Sequence, residues 1–496
     1  MNDFFLSLLI TGALSSGGSL PFWATTNQWG LMPENNGALT VLQARTQYDD
    51  SKDFQWRWGV SLAANYDSGT AAAEAATGKA ADFRLMADEL YASIKWKKFS
   101  LDAGMKHVDL DFYGAGTPTL GSMSTTGGHI IWSGNARALP GYLLNLDPVP
   151  LPWTNKKVWL YGSFGDFKTL DNRYVAGALL HRTKAMLRFD ITPRLSFHFG
   201  LDHYALWAGK YENAEMPVTL DNYLRVIMGR HASGGGSQSD QINVIGDQGG
   251  GELLRFDWRG DGWKAVFQHD IPYADGSGMG FQNFPDGVNT LWFGFDDKDR
   301  WVTDVVYEYQ YTMWQSGTSH DRPTTEEERA HLDPADQYHY WRHIIGGCDN
   351  YFNNGEYCSG WTYYGRTIGD PLIVPKGTRA RTWTGRAMVL GVENNRLKAH
   401  HFSIAGKLFH KLPYKAMLTY SKNYGTYGSP YVGESQRGKP WGTVNETPLR
   451  QLSGALVGEV PVGSFAITWG VYADYGSLLE HNFGASLGLR YMFSAE

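Results

Sequence analysis

Residues Phe54 to Tyr66 read FQWRWGVSLAANY. The even positions, Phe54, Trp56, Trp58, Val60, Leu62, Ala64 and Tyr66, are apolar, whereas the odd positions, Gln55, Arg57, Gly59, Ser61, Ala63 and Asn65, are polar or small. A repeat of two places the sets on opposite faces of a β-strand. The apolar face is rich in large rings, and the other would be costly to leave in hydrocarbon. That combination predicts a strand of a transmembrane barrel, rings toward lipid and polar groups toward the lumen.

The same alternation recurs along the chain. Leu90-Ala92-Ile94-Trp96 and Phe99-Leu101-Ala103-Met105 flank Lys97-Lys98, a tight hairpin. Similar pairs surround Thr192-Pro193-Arg194, Gly260-Asp261-Gly262, Asp296-Asp297-Lys298-Asp299 and His410-Lys411, and a last pair runs from Phe465 to Phe493. Between hairpins lie long segments rich in Gly, Asn and Asp: 67–84, 109–156, 203–250, 270–288, 311–396 and 421–446. Short turns at one end and long loops at the other are the asymmetry of an outer-membrane barrel. With weaker strands near 38–48, 157–165, 174–182, 362–370 and 447–459, an even count of about eighteen is expected. The fold class is therefore all-β: one barrel domain over 1–496, with short periplasmic turns and long extracellular loops. Tyr66, Trp96, Trp258, Trp301 and Tyr420 fit interfacial girdles. Phe4 to Leu14 (FFLSLLITGAL) reads as an export leader or as a first strand, and the missing positive charge at Met1-Asn2-Asp3 favours the strand.

Composition narrows the function classes. The 496 residues include 59 Gly, 19 Trp, 28 Tyr and 24 Phe, a ring content incompatible with disorder or collagen. A net charge of -6 with scattered Lys and Arg offers no stripe for nucleic acid. No run approaches the roughly 18 apolar residues of a membrane helix, and mean hydropathy is -0.37. A barrel is compatible with both facts.

Several segments carry a family resemblance: PFWATTNQWG (Pro21 to Gly30), SGNARALP (Ser133 to Pro140), VYEYQYTMWQSG (Val306 to Gly317), DNYFNNGEYCSGWTYYGRTIGDPL (Asp349 to Leu372), NNRLKAHHFSIAG (Asn394 to Gly406) and YSKNYGTYGSP (Tyr420 to Pro430). In order and spread over nearly the whole chain, they resemble the landmarks of the Wzi-type capsule-assembly family. The resemblance implies a barrel of about eighteen strands in the outer membrane of a Gram-negative bacterium. It further implies binding of capsular or exopolysaccharide, retention of that polymer on the cell surface, no catalysis and no cofactor. Outer-membrane lipid would surround the barrel, with capsule-export or other outer-membrane proteins as possible partners. A helical plug at the periplasmic side is also implied, although no long amphipathic helix stands near the start to supply it.

Cys348 and Cys358 flank DNYFNNGEY in the longest loop. In an exported chain such a pair reads as a disulfide contributing about 2 to 3 kcal/mol, since two thiols ten residues apart lack the ligand count for zinc. In the same loop, Thr325 and Glu328 form a capping box that predicts a short helix.

Sugar recognition requires flat rings for C–H faces and planar amides or guanidinium groups for paired hydrogen bonds. Trp132, Asn135 and Arg137 supply these in one loop, and Trp314, Gln315, Trp341, Arg342, Trp361, Tyr363 and Arg366 in another. The competing role for each is packing loop against loop. Lumen-side Arg57, Lys95, Lys106, Arg188 and Arg255 read best as a self-neutralising network.

Enzyme and metal motifs are weak. Gly484-Ala485-Ser486-Leu487-Gly488 has the letters of a nucleophile elbow, but Ser486 lies in an alternating strand. His400-His401 would point to opposite faces, and Asp275-Gly276-Ser277-Gly278 lacks the glutamate of a calcium loop. No catalytic residue and no metal ligand is expected. A porin with an open lumen and a surface glycan hydrolase remain the alternatives.

Overall fold

The structure is a computed structural model. It describes residues 4–495 apart from positions 50, 72–73, 76–77, 79, 115, 211–214, 243, 275–279, 319, 323–324, 332–343 and 380–387. Eighteen antiparallel strands form one sheet. In chain order, β1 to β6 are Phe4–Ser15, Gly37–Thr46, Phe54–Asp67, Asp82–Trp96, Phe99–Met105 and Pro140–Pro150. Strands β7 to β12 are Val158–Lys168, Leu179–Thr192, Leu195–Trp207, Asp247–Gly260, Trp263–Tyr273 and Gly287–Phe295. Strands β13 to β18 are Asp304–Tyr311, Arg396–Leu408, Leu412–Gly425, Leu449–Val462, Phe465–Gly476 and Asn482–Ala495. Each pairs with its sequence neighbour, and β1 pairs with β18 from Phe4↔Ala495 to Ser15↔Gly484, which closes the barrel.

Burial is inverted relative to a water-soluble sheet. Along β3, Phe54 and Trp56 are 57% and 52% exposed, whereas Gln55 and Ser61 are 7% and 0% exposed. The apolar side faces outward, as a bilayer demands. Trp96, Trp258 and Trp301 are exposed near the tight-turn end and Tyr66 at the loop end, as girdle residues should be. The charges expected to cancel inside do so: Arg57 and Lys106 meet Asp102, Lys95 meets Asp147, Arg188 meets Asp190, and Arg255 meets Asp111 and Asp257.

Three strand expectations change. Pro140–Pro150 is a strand where a loop was expected. Its prolines hide the alternation, and the pairing with β7 shifts register between Leu146 and Val149, a bulge that tolerates them. Residues 362–370 form no wall strand, because Thr362–Tyr363 pairs only with Arg366–Thr367. The strand expected from Trp301 begins instead at Asp304. In the long loop a short helix does form, Glu326–His331.

The bore is occupied by two chain segments. Residues 106–114 and 116–139 fold inward and are pinned by buried wall side chains. Glu308 accepts from Ser124 Oγ (2.6 Å) and Thr125 N (2.7 Å), Asp270 accepts from Ile130 N (2.7 Å), His401 bonds Met123 O (2.9 Å), and Lys415 Nζ donates to Ser122 O (2.9 Å). Residues 16–36 enter beside it, with Trp23 Nε1 donating to Thr419 Oγ1 (3.2 Å), Phe22 N to Asp474 (2.9 Å) and Asn27 Nδ2 to Thr125 O (2.8 Å). Loop backbone thus does the plugging that the resemblance assigned to a helix; the helix here, Phe22–Thr25, is a single turn. A cavity of about 490 Å³ remains against the wall from β3 to β11, and one of about 300 Å³ against the wall from β15 through β18 to β2.

The expected Cys348–Cys358 disulfide is not formed. The backbone holds the two cysteines to different neighbours. Cys348 N donates to Gly317 O (2.7 Å), while Cys358 Sγ donates to Gly355 O (3.1 Å). Between them Tyr351, Phe352 and Tyr357 are drawn into the apolar core, and Tyr357 OH donates to Ala208 O (3.0 Å). Ring burial orders this segment without a covalent link.

Candidate functional site

At the loop end of the barrel, the turn Tyr364-Gly365 projects from the small hairpin 362–367, with both residues in the left-handed region (φ 48° and 84°). It faces a cleft of about 300 Å³ lined by Gly30, Glu34, Arg84, Leu85, Met86, Arg137, Asn172, Tyr363, Tyr364 and Arg366. Five separate chain segments meet here. Arg84 rises from the end of β4 and is oriented by Asn65, whose Oδ1 accepts from Nε at 3.1 Å. Glu34 comes from the inserted segment 16–36 and forms an ion pair with Arg366. Arg366 Nη1 also donates to Asn135 Oδ1 (3.4 Å).

Arg137 differs from its neighbours. Its Nη2 donates to Ala87 O (3.1 Å) and its guanidinium lies 4.3 Å from the Tyr364 ring centre. Among the described residues no carboxylate lies in ion-pairing distance of it. Tyr364 is tethered in turn by its N–H to Asp171 (3.1 Å) and its OH to Leu170 O (3.3 Å). Arg84 is also paired with Asp67 (3.9 Å) and Asp82 (3.6 Å), so of the three guanidinium groups at the cleft only that of Arg137 lacks a carboxylate partner among the described residues, and tyrosine lies beside it. Such a wall can hydrogen-bond hydroxyls or anionic oxygens in pairs and offer ring surface to C–H faces.

The sequence candidates separate into distinct environments. Arg137, Tyr363 and Arg366 line the cleft. Trp132 is buried, edge-on to Phe167 at 4.9 Å. Trp361 is buried with Nε1 donating to Ile131 O (2.7 Å). Asn135 bonds Thr367 Oγ1 (2.9 Å), and Gln315 bonds Thr312 O (3.1 Å) and Asn395 O (3.0 Å). These four hold loops together. Trp314 is partly exposed and packs edge-on to Trp441 at 5.3 Å, away from the cleft. Trp341 and Arg342 lie outside the described residues, as does Asp275 to Gly278. Sequence reasoning missed Glu34, Arg84, Asn172 and Tyr364. Tyr364 stood in the same YYGR word as two candidates. Arg84, at a strand end, carried no signal beyond its charge.

Two buried carboxylates secure the longest loop. Asp286 accepts from Trp314 N (2.7 Å), Gln315 N (2.7 Å) and Tyr351 OH (2.9 Å). Asp370 accepts from Leu372 N (3.0 Å) and from Gln310 Nε2. Burial pushes each carboxyl up to about 7. A folded value above the unfolded one means that the folded chain holds more protons between about pH 4 and 7, so stability falls as pH rises through that window. Loop stability is expected to increase by roughly 1 kcal/mol per pH unit and per group on acidification from pH 7 to 5. Amide exchange of residues 349–374 should show this, and Asp370→Asn with Asp286→Asn should flatten the profile.

No protein-family model and no curated protein sequence matches this chain. Among solved structures, the chain resembles Wzi of Escherichia coli, an outer-membrane protein involved in group 1 capsule assembly and a carbohydrate-binding β-barrel. The TM-score is 0.51 at 14% identity, over 97% of this chain and 83% of that one. It also matches OccK5 (OpdH) of Pseudomonas aeruginosa at TM-score 0.43 and 9% identity, over 100% and 98% of the two chains. OccAB4 of Acinetobacter baumannii matches at TM-score 0.42 and 9% identity, over the same shares. At these identities the likeness is one of fold.

Proposed function

We propose that this chain is an outer-membrane protein of a Gram-negative bacterium that binds capsular or exopolysaccharide at the cell surface and helps to retain it there, without catalysis. The observation that carries this reading is the cleft at the long-loop end, taken here as extracellular. It is a pre-formed, partly charged recess in which Arg137 has no carboxylate partner among the described residues. The fold shared with Wzi and the landmark words of the sequence add to it. Ligands of such clefts are fixed by a few convergent polar groups on rigid supports.

Purified barrel is expected to bind a subset of bacterial polysaccharides on a glycan array and to leave them intact. Arg137→Ala and Tyr364→Ala should each weaken that binding by about 10-fold or more, the loss of roughly 1.4 kcal/mol or above. Undiminished binding in both variants would remove the cleft from the reading, and turnover of a bound glycan would favour a hydrolase.

A solute channel is the second reading. It is favoured by the 490 Å³ cavity inside the wall, where Arg57, Lys106, Arg182, Lys184 and Arg255 face Asp102, Asp109 and Asp111. Ion conductance in planar bilayers without glycan binding would select it.

A further inference from the structure

Strand β4 contains two successive acidic residues, Asp88 and Glu89, that strict alternation would send to opposite sides of the wall. The pairing with β3 prevents this. Ser61 faces Glu89 while Leu62 faces Ala87, so Asp88 is the extra residue of a β-bulge. Both carboxylates consequently point into the lumen, 4% and 7% exposed. His107, just beyond β5, meets them: its Nε2 lies 2.6 Å from Asp88 Oδ1 and its Nδ1 3.8 Å from Glu89 Oε1. One donor atom from each of the three residues falls within 4.8 Å of the others.

We infer that Asp88, Glu89 and His107 form a binding site for a divalent transition-metal ion. The surroundings hold each donor as outer partners of a metal centre do. The second oxygen of Asp88 accepts from Ser61 Oγ (2.8 Å) and that of Glu89 from Gln43 Nε2 (3.0 Å), while Glu89 Oε1, the oxygen toward the histidine, accepts one backbone N–H from His107 (2.9 Å) and keeps a second lone pair. The imidazole plane is fixed by stacking on Trp29, with ring centres 3.9 Å apart and planes 4° from parallel.

Charge points the same way. Elsewhere in the lumen Asp102 has Arg57 and Lys106, and Asp202 has Arg182 and Lys184. Among the described residues, Asp88 and Glu89 have no lysine or arginine in ion-pairing distance. Two adjacent buried carboxylates sharing one imidazole are under-compensated, and a divalent cation supplies the missing charge. One nitrogen with two carboxylate oxygens suits zinc or manganese and leaves coordination positions open toward the 490 Å³ cavity, which His107 lines.

The test is a calorimetric titration of the detergent-solubilised full chain with ZnCl₂, with CaCl₂ as a parallel probe. One saturable Zn²⁺ per chain is expected, weakened by roughly 100-fold or more in the near-isosteric variants Glu89→Gln and His107→Gln. Zinc-soaked crystals of the unaltered chain should give an anomalous peak bonded to His107, a readout that does not depend on the variants folding. Absence of saturable Zn²⁺ binding, binding unchanged in both variants, or an anomalous peak elsewhere would each overturn the assignment, as would Ca²⁺ binding tighter than Zn²⁺.

Discussion

Excising residues 112–126 is expected to raise single-channel conductance in planar bilayers by roughly tenfold or more, because a barrel of this strand number leaves an aqueous bore when nothing occupies it. The cut is geometrically mild. Asp111 N already donates to Gly127 O at 2.8 Å, so the new ends lie side by side and a short glycine linker joins them. What the excision removes is the part of the plug that crosses the bore, including Met123, Ser124, Thr125 and Thr126, all within 1% of complete burial. What remains is the wall, closed through β1 and β18 and independent of the plug for its backbone hydrogen bonds. Glu308→Ala should give a smaller, flickering increase. It frees Ser124 and Thr125 but leaves Asp270 on Ile130 and His401 on Met123. Conductance unchanged in an excised barrel that keeps its heat-modifiable mobility would mean that residues 16–36 or the outer loops seal the bore alone.

The wall was legible in the sequence because alternation repeats over ten or more residues in most strands, and each repeat reinforces the last. Leu187, Phe189 and Ile191 need no partner to be recognised as one face. The plug was not legible. Residues 112–128 carry no periodicity, and their placement is decided by Glu308, Asp270 and His401, which stand far away in the chain. The same limit applies to the cleft. Arg137 and Trp132 looked equally suited to a sugar, but one reaches the cleft and the other packs on Phe167, a difference set by the hairpin 362–367 folding across from another loop. Asp88 shows a subtler failure. Alternation places it on the lipid side with Leu90, and only the register shift against β3, invisible in a single strand, turns it inward. For the cysteines, the habit of oxidising compartments suggested a bond that the packing of Tyr351 and Tyr357 does not require.

Replacing Arg396 with alanine is expected to cost about 3 to 5 kcal/mol, the penalty for leaving a buried charge without its partner. Arg396 opens β14 and is fully buried. Its Nη1 and Nη2 donate to the two oxygens of Glu446 at 2.7 and 3.1 Å, and its guanidinium lies 4.2 Å from the Tyr427 ring centre. Tyr427 OH donates onward to Trp314 O (2.9 Å). The pair therefore fastens residues 426–448 to the start of the longest loop, at the rim rather than in the wall. The loss should fall on the loops: trypsin cleavage within 426–448 should accelerate, while the strand signal in circular dichroism persists. Glu446→Ala should behave alike, because it strands the guanidinium instead of the carboxylate. Arg396→Met combined with Glu446→Leu should recover most of the loss, since a matched apolar pair leaves no charge buried alone. If the single variants resist trypsin as the unaltered chain does, the loops are held by their aromatic packing and the ion pair adds only orientation.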